Sequence, residues 1–464
     1  MKKILLAVFT VFTLQIQAQN IAKVPQKAVQ CWKQIEFGGG HIIGIKNDGT
    51  LWTCGANTAG QLGDGTTINK SVPLQVGTDN DWEAVSANHQ TNLALKTDGT
   101  IWAWGDNFYG QITGGSNPQT TPIQIGTDTD WKTISCGGNH MLAIKDNGTL
   151  WVWGGNSFGA LGLGNTTTVL SPTQLGVAND WAVISTGSST SYAIKTDGTL
   201  WVCGNNQSGE MGNGTGVGNN AGGPSVLVPT QIGGNDWKDV DAGGQHVIAQ
   251  KNDNTLWSWG INGFGELGDN TMVTRSFPMQ IGTDAWTSFS AGNGSCAGTK
   301  ADGKLYAWGI NYQGIGIKEP TLVNDDTDWD KTLSSGQTYY LAVKTNGNMY
   351  AWGGNDVGQL GLGDTVVHPQ PTFFDNMCVE TAGLNDNALS QITLYPNPTY
   401  NTLTLENAEN LILENLSVTD MTGKLALSQK GNDHWINVEA LPAGIYFLNV
   451  SAQEGVQHLK FVKE

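Results

Sequence analysis

The chain has 464 residues, 63 of them glycine and 18 tryptophan, with only 14% charged residues and a formal net charge of −17. Arg275 is the only arginine. Such a surface lacks the cations that neutralise nucleic-acid phosphates or hold an anionic membrane, so both partner classes are set aside. The length allows two or three ordinary domains, or one large repeat ring plus a small domain. Abundant glycine with few charges suits many short strands joined by tight turns.

In chain order, an export signal comes first. Lys2 and Lys3 precede the apolar run Ile4 to Leu14, and Ala18 offers a small residue for cleavage before Gln19. About 11 apolar residues are too few to span a bilayer. Residues 1–18 therefore read as a signal peptide, and no transmembrane segment is expected in the mature chain. Export places the protein in a compartment that permits disulfides.

A repeat follows. Trp32, Trp82, Trp131, Trp181, Trp237, Trp286 and Trp329 are spaced 50, 49, 50, 56, 49 and 43 residues apart. A lysine recurs in each unit (Lys46, Lys96, Lys145, Lys195, Lys251, Lys300 and Lys344), and two residues later stands a polar pair such as Asp48-Gly49 or Asn147-Gly148. Such pairs between apolar runs signal hairpins, because both turn residues accept φ > 0. Each unit reads as four strands, apolar on both faces, which radially packed blades would cover. Two residues before each lysine stands only Gly or Ala, from Gly44 to Ala342. This column is expected to line a tight wall between blades or around the axis.

The unit G-G-x-H…K-x-D-G-T-L-W-x-W-G-x-N-x-x-G-x-L-G resembles the repeat of the regulator of chromosome condensation family. Its cleanest copy runs from Gly137-Gly138-Asn139-His140 to Leu161-Gly162. The resemblance covers residues 31–378 and implies an all-β, seven-bladed β-propeller. Two units depart from it, the second at Ile112-Thr113 and the sixth at Gly314-Ile315-Gly316. The family includes a nuclear nucleotide-exchange factor, a role that export argues against, and a secreted bacterial inhibitor of β-lactamase.

Chemistry is sparse within the repeat. His41, His140 and His246 share one repeat position, but alternate blades would hold them too far apart for one metal, and a structural hydrogen bond to a turn explains them better. Acidic runs such as Asp79-Asn80-Asp81 and Asp128-Thr129-Asp130 read as Asx turns, with calcium as the alternative. The glycine-rich run from Gly212 to Gly223 lacks the following helix of a phosphate cradle and reads as an insertion. No cofactor or metal is assigned. The N-x-x-G loops carry aromatics: Phe108, Tyr109, Phe158, Phe264 and Tyr312. On one face they would form a binding surface; the alternative is burial of each ring against its own blade.

Residues 379–390 read as a linker and 391–464 as a second domain. Tyr395-Pro396-Asn397-Pro398-Thr399, the alternating Leu403-Thr404-Leu405, Leu441-Pro442-Ala443-Gly444-Ile445-Tyr446 and the closing Lys460-Phe461-Val462-Lys463 follow in order. They resemble the C-terminal sorting domain of type IX secretion cargo, which implies a small β-sandwich read by the type IX secretion machinery and a secreted or outer-surface location.

Of the six cysteines, Cys54 and Cys203 replace the Trp of the W-G step. Cys31 precedes the first marker Trp, and Cys378 sits where an eighth marker would be preceded by cysteine. In a closed ring these two positions are neighbours, so a Cys31–Cys378 disulfide is expected. The functional reading is an exported recognition scaffold that binds a protein or glycan through propeller loops. The alternative is a secreted polysaccharide-active enzyme with its site in the propeller mouth.

Overall fold

The D-G-T-L-W segment shows why each repeat folds as it does. Gly49 sits at φ +79°, and a Cβ there would lie 1.9 Å from the Asn80 carbonyl oxygen. Asp48 Oδ1 accepts both the backbone N–H of Thr50 (3.0 Å) and its hydroxyl (2.6 Å), and Thr50 Oγ1 in turn accepts Trp52 Nε1–H at 2.8 Å. The turn thereby sets the register of the hairpin and aims the first Trp of the W-x-W pair. Asn254 takes the glycine place in the fifth unit at φ +65°, which asparagine tolerates better than most residues.

The computed structural model describes residues 32–215, 223–374, 392–406, 413–420, 424–430, 433–452 and 455–464. The chain divides into two compact units, 1–376 and 377–464. In the first blade, β1 (Trp32–Phe37), β2 (His41–Lys46), β3 (Leu51–Gly55) and β4 (Lys70–Gln75) pair consecutively and antiparallel. Six further four-stranded sheets repeat this order. First strands of successive blades touch one another, and the first blade touches the seventh, so they surround an axis. The fold of this unit is a seven-bladed β-propeller.

Fourth strands form the outer edges. Each carries a proline at the same place: Pro73, Pro122, Pro172, Pro229, Pro278, Pro320 and Pro371. Proline cannot donate a ladder hydrogen bond, so these edges resist pairing with another chain. Half of the chain's 14 prolines do this, a signal as periodic as the tryptophans.

The small column lies in the packed wall between blades: Ala94 shares a core with Ile43, Ile45 and Leu51 of the first blade, and Ala143 with Leu93 and Ile101 of the second. A Cβ on Gly44 would lie 2.9 Å from Trp32 Cε3, and one on Gly298 equally close to Trp286 Cε3. The crowding comes from the blade's own marker Trp, which folds back over the second strand. The repeat lysine lies between the marker ring and the first ring of the third strand; Lys145 Nζ is 4.7 Å from the Trp131 centroid and 4.6 Å from that of Trp151. Asp128 (2.6 Å) and Asp130 (2.9 Å) pair with the same ammonium, as Asp79 and Asp81 do with Lys96. These acidic runs serve the lysines, and among the described residues no three ligating side chains gather as a metal site.

Several contacts join the last blade to the first, among them three between named groups. Trp32 packs against Phe374 with centroids 6.2 Å apart, Tyr339 Oη donates to the Gly38 carbonyl at 2.9 Å, and Gly363 N–H donates to the Ser71 carbonyl at 2.9 Å. Cys31 and Cys378, with residues 1–18 and the linker 379–390, lie outside the described residues. The pairing of these two cysteines is a proposal; non-reducing peptide mapping of the exported protein is expected to recover them linked, and two free thiols would remove it.

The second unit is a small β-sandwich. One sheet holds Thr393–Tyr395, Thr402–Glu406 and Trp435–Asn437; the other holds Leu425–Lys430, Leu413–Asp420, Gly444–Ala452 and Gly455–Lys463. Alternating residues of both sheets, among them Leu403, Leu405, Leu416, Val418, Leu448 and Phe461, share one core. Among the described residues, no helix is long and apolar enough to cross a membrane.

Candidate binding face and axial cavity

The N-x-x-G loops run between third and fourth strands and share an end of the ring with the G-G-x-H turns. In the first blade Ala56 N–H donates to the Gly40 carbonyl at 2.8 Å, tying one to the other. The loop asparagine is a clamp: buried Asn57 donates from Nδ2 to the Ile68 carbonyl and accepts Leu62 N–H at Oδ1 (2.9 Å). The second blade keeps this device despite Ile112-Thr113, since Asn107 Oδ1 accepts Ile112 N–H at 2.8 Å. The sixth does not. There Asn311 Oδ1 accepts Gln313 and Ile315 N–H, and the strands Leu305–Ile310 and Gly316–Leu322 follow each other through a tight turn.

The aromatics fall on this loop-bearing end. Phe108 is 68% exposed, Phe264 44% and Phe158 36%, whereas Tyr109 and Tyr312 are half-buried. Tyr109 packs edge-on to Phe108 at 5.1 Å and lies over Gly155, where a Cβ would come within 3.0 Å of its ring. Tyr109 and Phe158 line one small hollow of about 30 Å³ together with Asn139, Ser157 and Ser189. Phe264 lines a separate hollow of about 250 Å³. The structure thus pairs Tyr109 with Phe158 and sets Phe264 apart.

The histidines bond across blades, not to a turn. His41 Nε2 donates to Asn92 Oδ1 at 2.7 Å, while His140 Nε2 lies 2.9 Å from Ser191 Oγ and His246 Nε2 3.0 Å from Cys296 Sγ. Each ring lies flat on the first glycine of its own G-G pair, which explains that glycine: a Cβ on Gly38 would be 2.1 Å from His41 Cε1. Burial lowers all three pKa values from 6.5 to about 4, so the rings are neutral. Burial, reinforced by Glu266 and Asp241, pushes the Cys296 thiol well up, so the His246–Cys296 pair supplies no thiolate nucleophile.

Because these histidines protonate more readily in the unfolded chain, their stabilisation is complete above about pH 6.5 and is lost as pH falls towards 4. Each is expected to forfeit about 2 kcal/mol between pH 6.5 and 5. Urea titrations at those two pH values check this against a variant with His41, His140 and His246 all replaced by Thr, the residue of the second and fourth blades. That variant should show a flatter acid limb; an equal loss in both proteins would refute the assignment.

The axis holds a second feature, which the sequence reading missed. Four residues after each of the first six markers stand Glu36, Ser86, Ser135, Ser185, Asp241 and Ser290, and all line one cavity of about 100 Å³. Several link neighbouring blades: Ser86 Oγ accepts Cys136 N–H (3.0 Å), Ser185 Oγ accepts Ala242 N–H (2.9 Å) and Asp241 Oδ2 accepts Ala291 N–H (2.8 Å). Burial and then the Asp241 charge push Glu36 up to about 8, and burial raises Asp241 to about 6 against the Ala291 hydrogen bond. His89, at φ +43° where the third and fifth repeats have glycine, lines the same cavity. The column is regular enough that its period could have revealed it.

A closed ring of four-stranded blades with side-chain-bearing loops on one end defines a repeat propeller that presents a surface. The chain belongs to the RCC1-like domain family, whose pattern matches residues 14–315 and 131–392. Residues 393–464 match the secretion system C-terminal sorting domain, which marks the chain for type IX export to the outer surface or beyond. Among solved structures, human WBSCR16 is similar with a TM-score of 0.62 at 19% identity, over 70% of this chain and 92% of that one. Prp20p from Saccharomyces cerevisiae, described with its binding to Gsp1p and histones, gives 0.61 at 20% identity over 72% and 88%. Yeast RCC1 (Prp20) bound to Kap60 gives 0.62 at 18% over 80% and 92%. These likenesses carry the fold alone. No curated protein matches the chain.

Proposed function

We propose that the chain is an exported recognition scaffold that binds a protein or glycan partner through the loop-bearing end of the propeller. The observation that carries this reading is the exposure of Phe108, Phe158 and Phe264 on loops clamped by buried asparagines. Large aromatics held outward on rigid loops lose little entropy on binding. The sorting domain delivers this surface to where partners are met, attached or released.

An enzymatic reading would place an acid and a base at Glu36 and Asp241, whose pKa values are pushed apart as such pairs require. Their cavity, however, has the volume of roughly three water molecules. A sugar chain has no room there, and both carboxylates belong to the hydrogen-bonded wall of the axis. Binding at the loops is therefore the reading we adopt.

Replacing Tyr109, Phe158 and Phe264 together by Ala is expected to weaken partner capture at least about tenfold while leaving the unfolding midpoint within about 1 kcal/mol of wild type. Capture is read by a glycan array and by pull-down from the organism's surroundings with the full-length exported protein. Unchanged capture by a folded triple variant would remove the loop face as the binding surface.

A further inference from the structure

The hollow that holds Phe264 differs from the rest of the face. It is lined by Ser188, Gln245, Ile261, Phe264, Glu266, Asn293, Gly294, Ile310 and Gln337, drawn from blades four to seven. Two of its walls are peculiar to this sector. At the position after the W-G step, the other blades carry Ala56, Asp106, Gly155, Asn205 and Gly354, whereas the fifth and sixth carry Ile261 and Ile310. Ile310 also ends the strand at which the sixth blade departs from the family loop. The equivalent hollow beside Phe158 has about 30 Å³ against about 250 Å³ here.

The lining chemistry narrows the occupant. Gln245, Asn293 and Gln337 are exposed, and none of their side-chain amides has a protein hydrogen bond among the described residues. No lysine or arginine lines the hollow, so an anionic ligand would find no counter-charge. Its one carboxylate, Glu266, is buried and its Oε2 accepts Phe264 N–H at 2.8 Å, which fixes the ring's loop and leaves a cation little to win. An apolar side chain of a protein partner would bury those amides without partners, an expensive exchange. A ligand with apolar C–H faces and many hydroxyls meets both demands. The volume lies just below the roughly 300 Å³ at which drug-sized pockets begin, the scale of a single ring.

We propose that this hollow is a carbohydrate subsite, in which a neutral pyranose of an oligosaccharide stacks on Phe264 and shares hydrogen bonds with Gln245, Asn293 and Gln337. The assignment rests on the recognition-scaffold reading and commits it to a glycan. The Tyr109–Phe158 hollow, at about 30 Å³, is too small to enclose a ring.

The test is isothermal titration of the full-length exported protein with neutral pentasaccharides (β-1,4-glucan, β-1,3-glucan, α-1,6-mannan and chitin) and with oligogalacturonate as the anionic comparison. At least one neutral pentasaccharide is expected to bind. Phe264→Ala should weaken it about tenfold or more, and Gln245→Ala by a smaller factor, whereas Phe277→Ala, on the exposed outer strand Arg275–Gln280, should stay within about twofold. Binding of oligogalacturonate alone, binding of none of the panel, or an unaffected Phe264→Ala variant would overturn the subsite. If sugars fail while the triple aromatic variant still loses a protein partner, the carbohydrate assignment falls and the scaffold stands. If the triple variant loses nothing, the scaffold reading falls with it.

Discussion

Truncation ahead of residue 391 is expected to abolish export while leaving a folded propeller inside the cell. The physical basis is the separation of cores. The apolar cluster of the sorting domain draws only on residues from Ile392 to Phe461, and the propeller clusters draw on none beyond Phe374. Removing the tail therefore takes away the address without opening the ring. Fractionation should find the truncated chain at background level on the outer surface and in the medium. Its thermal transition in purified form should match that of the propeller in the full chain. Surface delivery of the truncated protein at wild-type level would contradict the assignment; loss of the folded transition would contradict the independence of the two cores.

Trp32→Ala is expected to be the most damaging single substitution at the ring's junction, at about 3–5 kcal/mol. Trp32 is 2% exposed and shares one core with Tyr339, Leu341, Met349 and Phe374 of the seventh blade. At the other junctions the chain itself runs from one blade into the next; here, among the described residues, only side chains and hydrogen bonds hold the first blade to the seventh. Loss of the indole thus leaves a cavity at the one place where the described chain offers no covalent continuity. Tyr339→Phe, which removes only the hydrogen bond to the Gly38 carbonyl, should cost about 1 kcal/mol. Urea unfolding midpoints of both variants decide the matter. A change below about 1 kcal/mol for Trp32→Ala would mean that the junction is held mainly by other contacts, with the proposed Cys31–Cys378 link the first to examine.

The sequence by itself determined the architecture, because its signals are local. A turn that requires φ > 0 at Gly49, a Thr50 hydroxyl that aims Trp52, and an asparagine that clamps its own loop all act within a dozen residues, and seven repetitions of them count the blades. The tail was legible for a similar reason, since alternation such as Leu403-Thr404-Leu405 reports directly which side faces a core. Tertiary structure alone decided who meets whom across blades. His41 finds Asn92 some 51 residues away, the acidic runs turn out to neutralise the repeat lysines, and Ala94 of the small column meets Ile43 and Ile45 of the preceding blade. Glu36 and Asp241 come from blades one and five yet line one axial cavity, and Gln245, Asn293 and Gln337 converge with Phe264 from three blades. Such neighbours depend on closing the ring, which brings distant residues together through packing; the repeat period marks the axial positions but not what their side chains do once they share a wall.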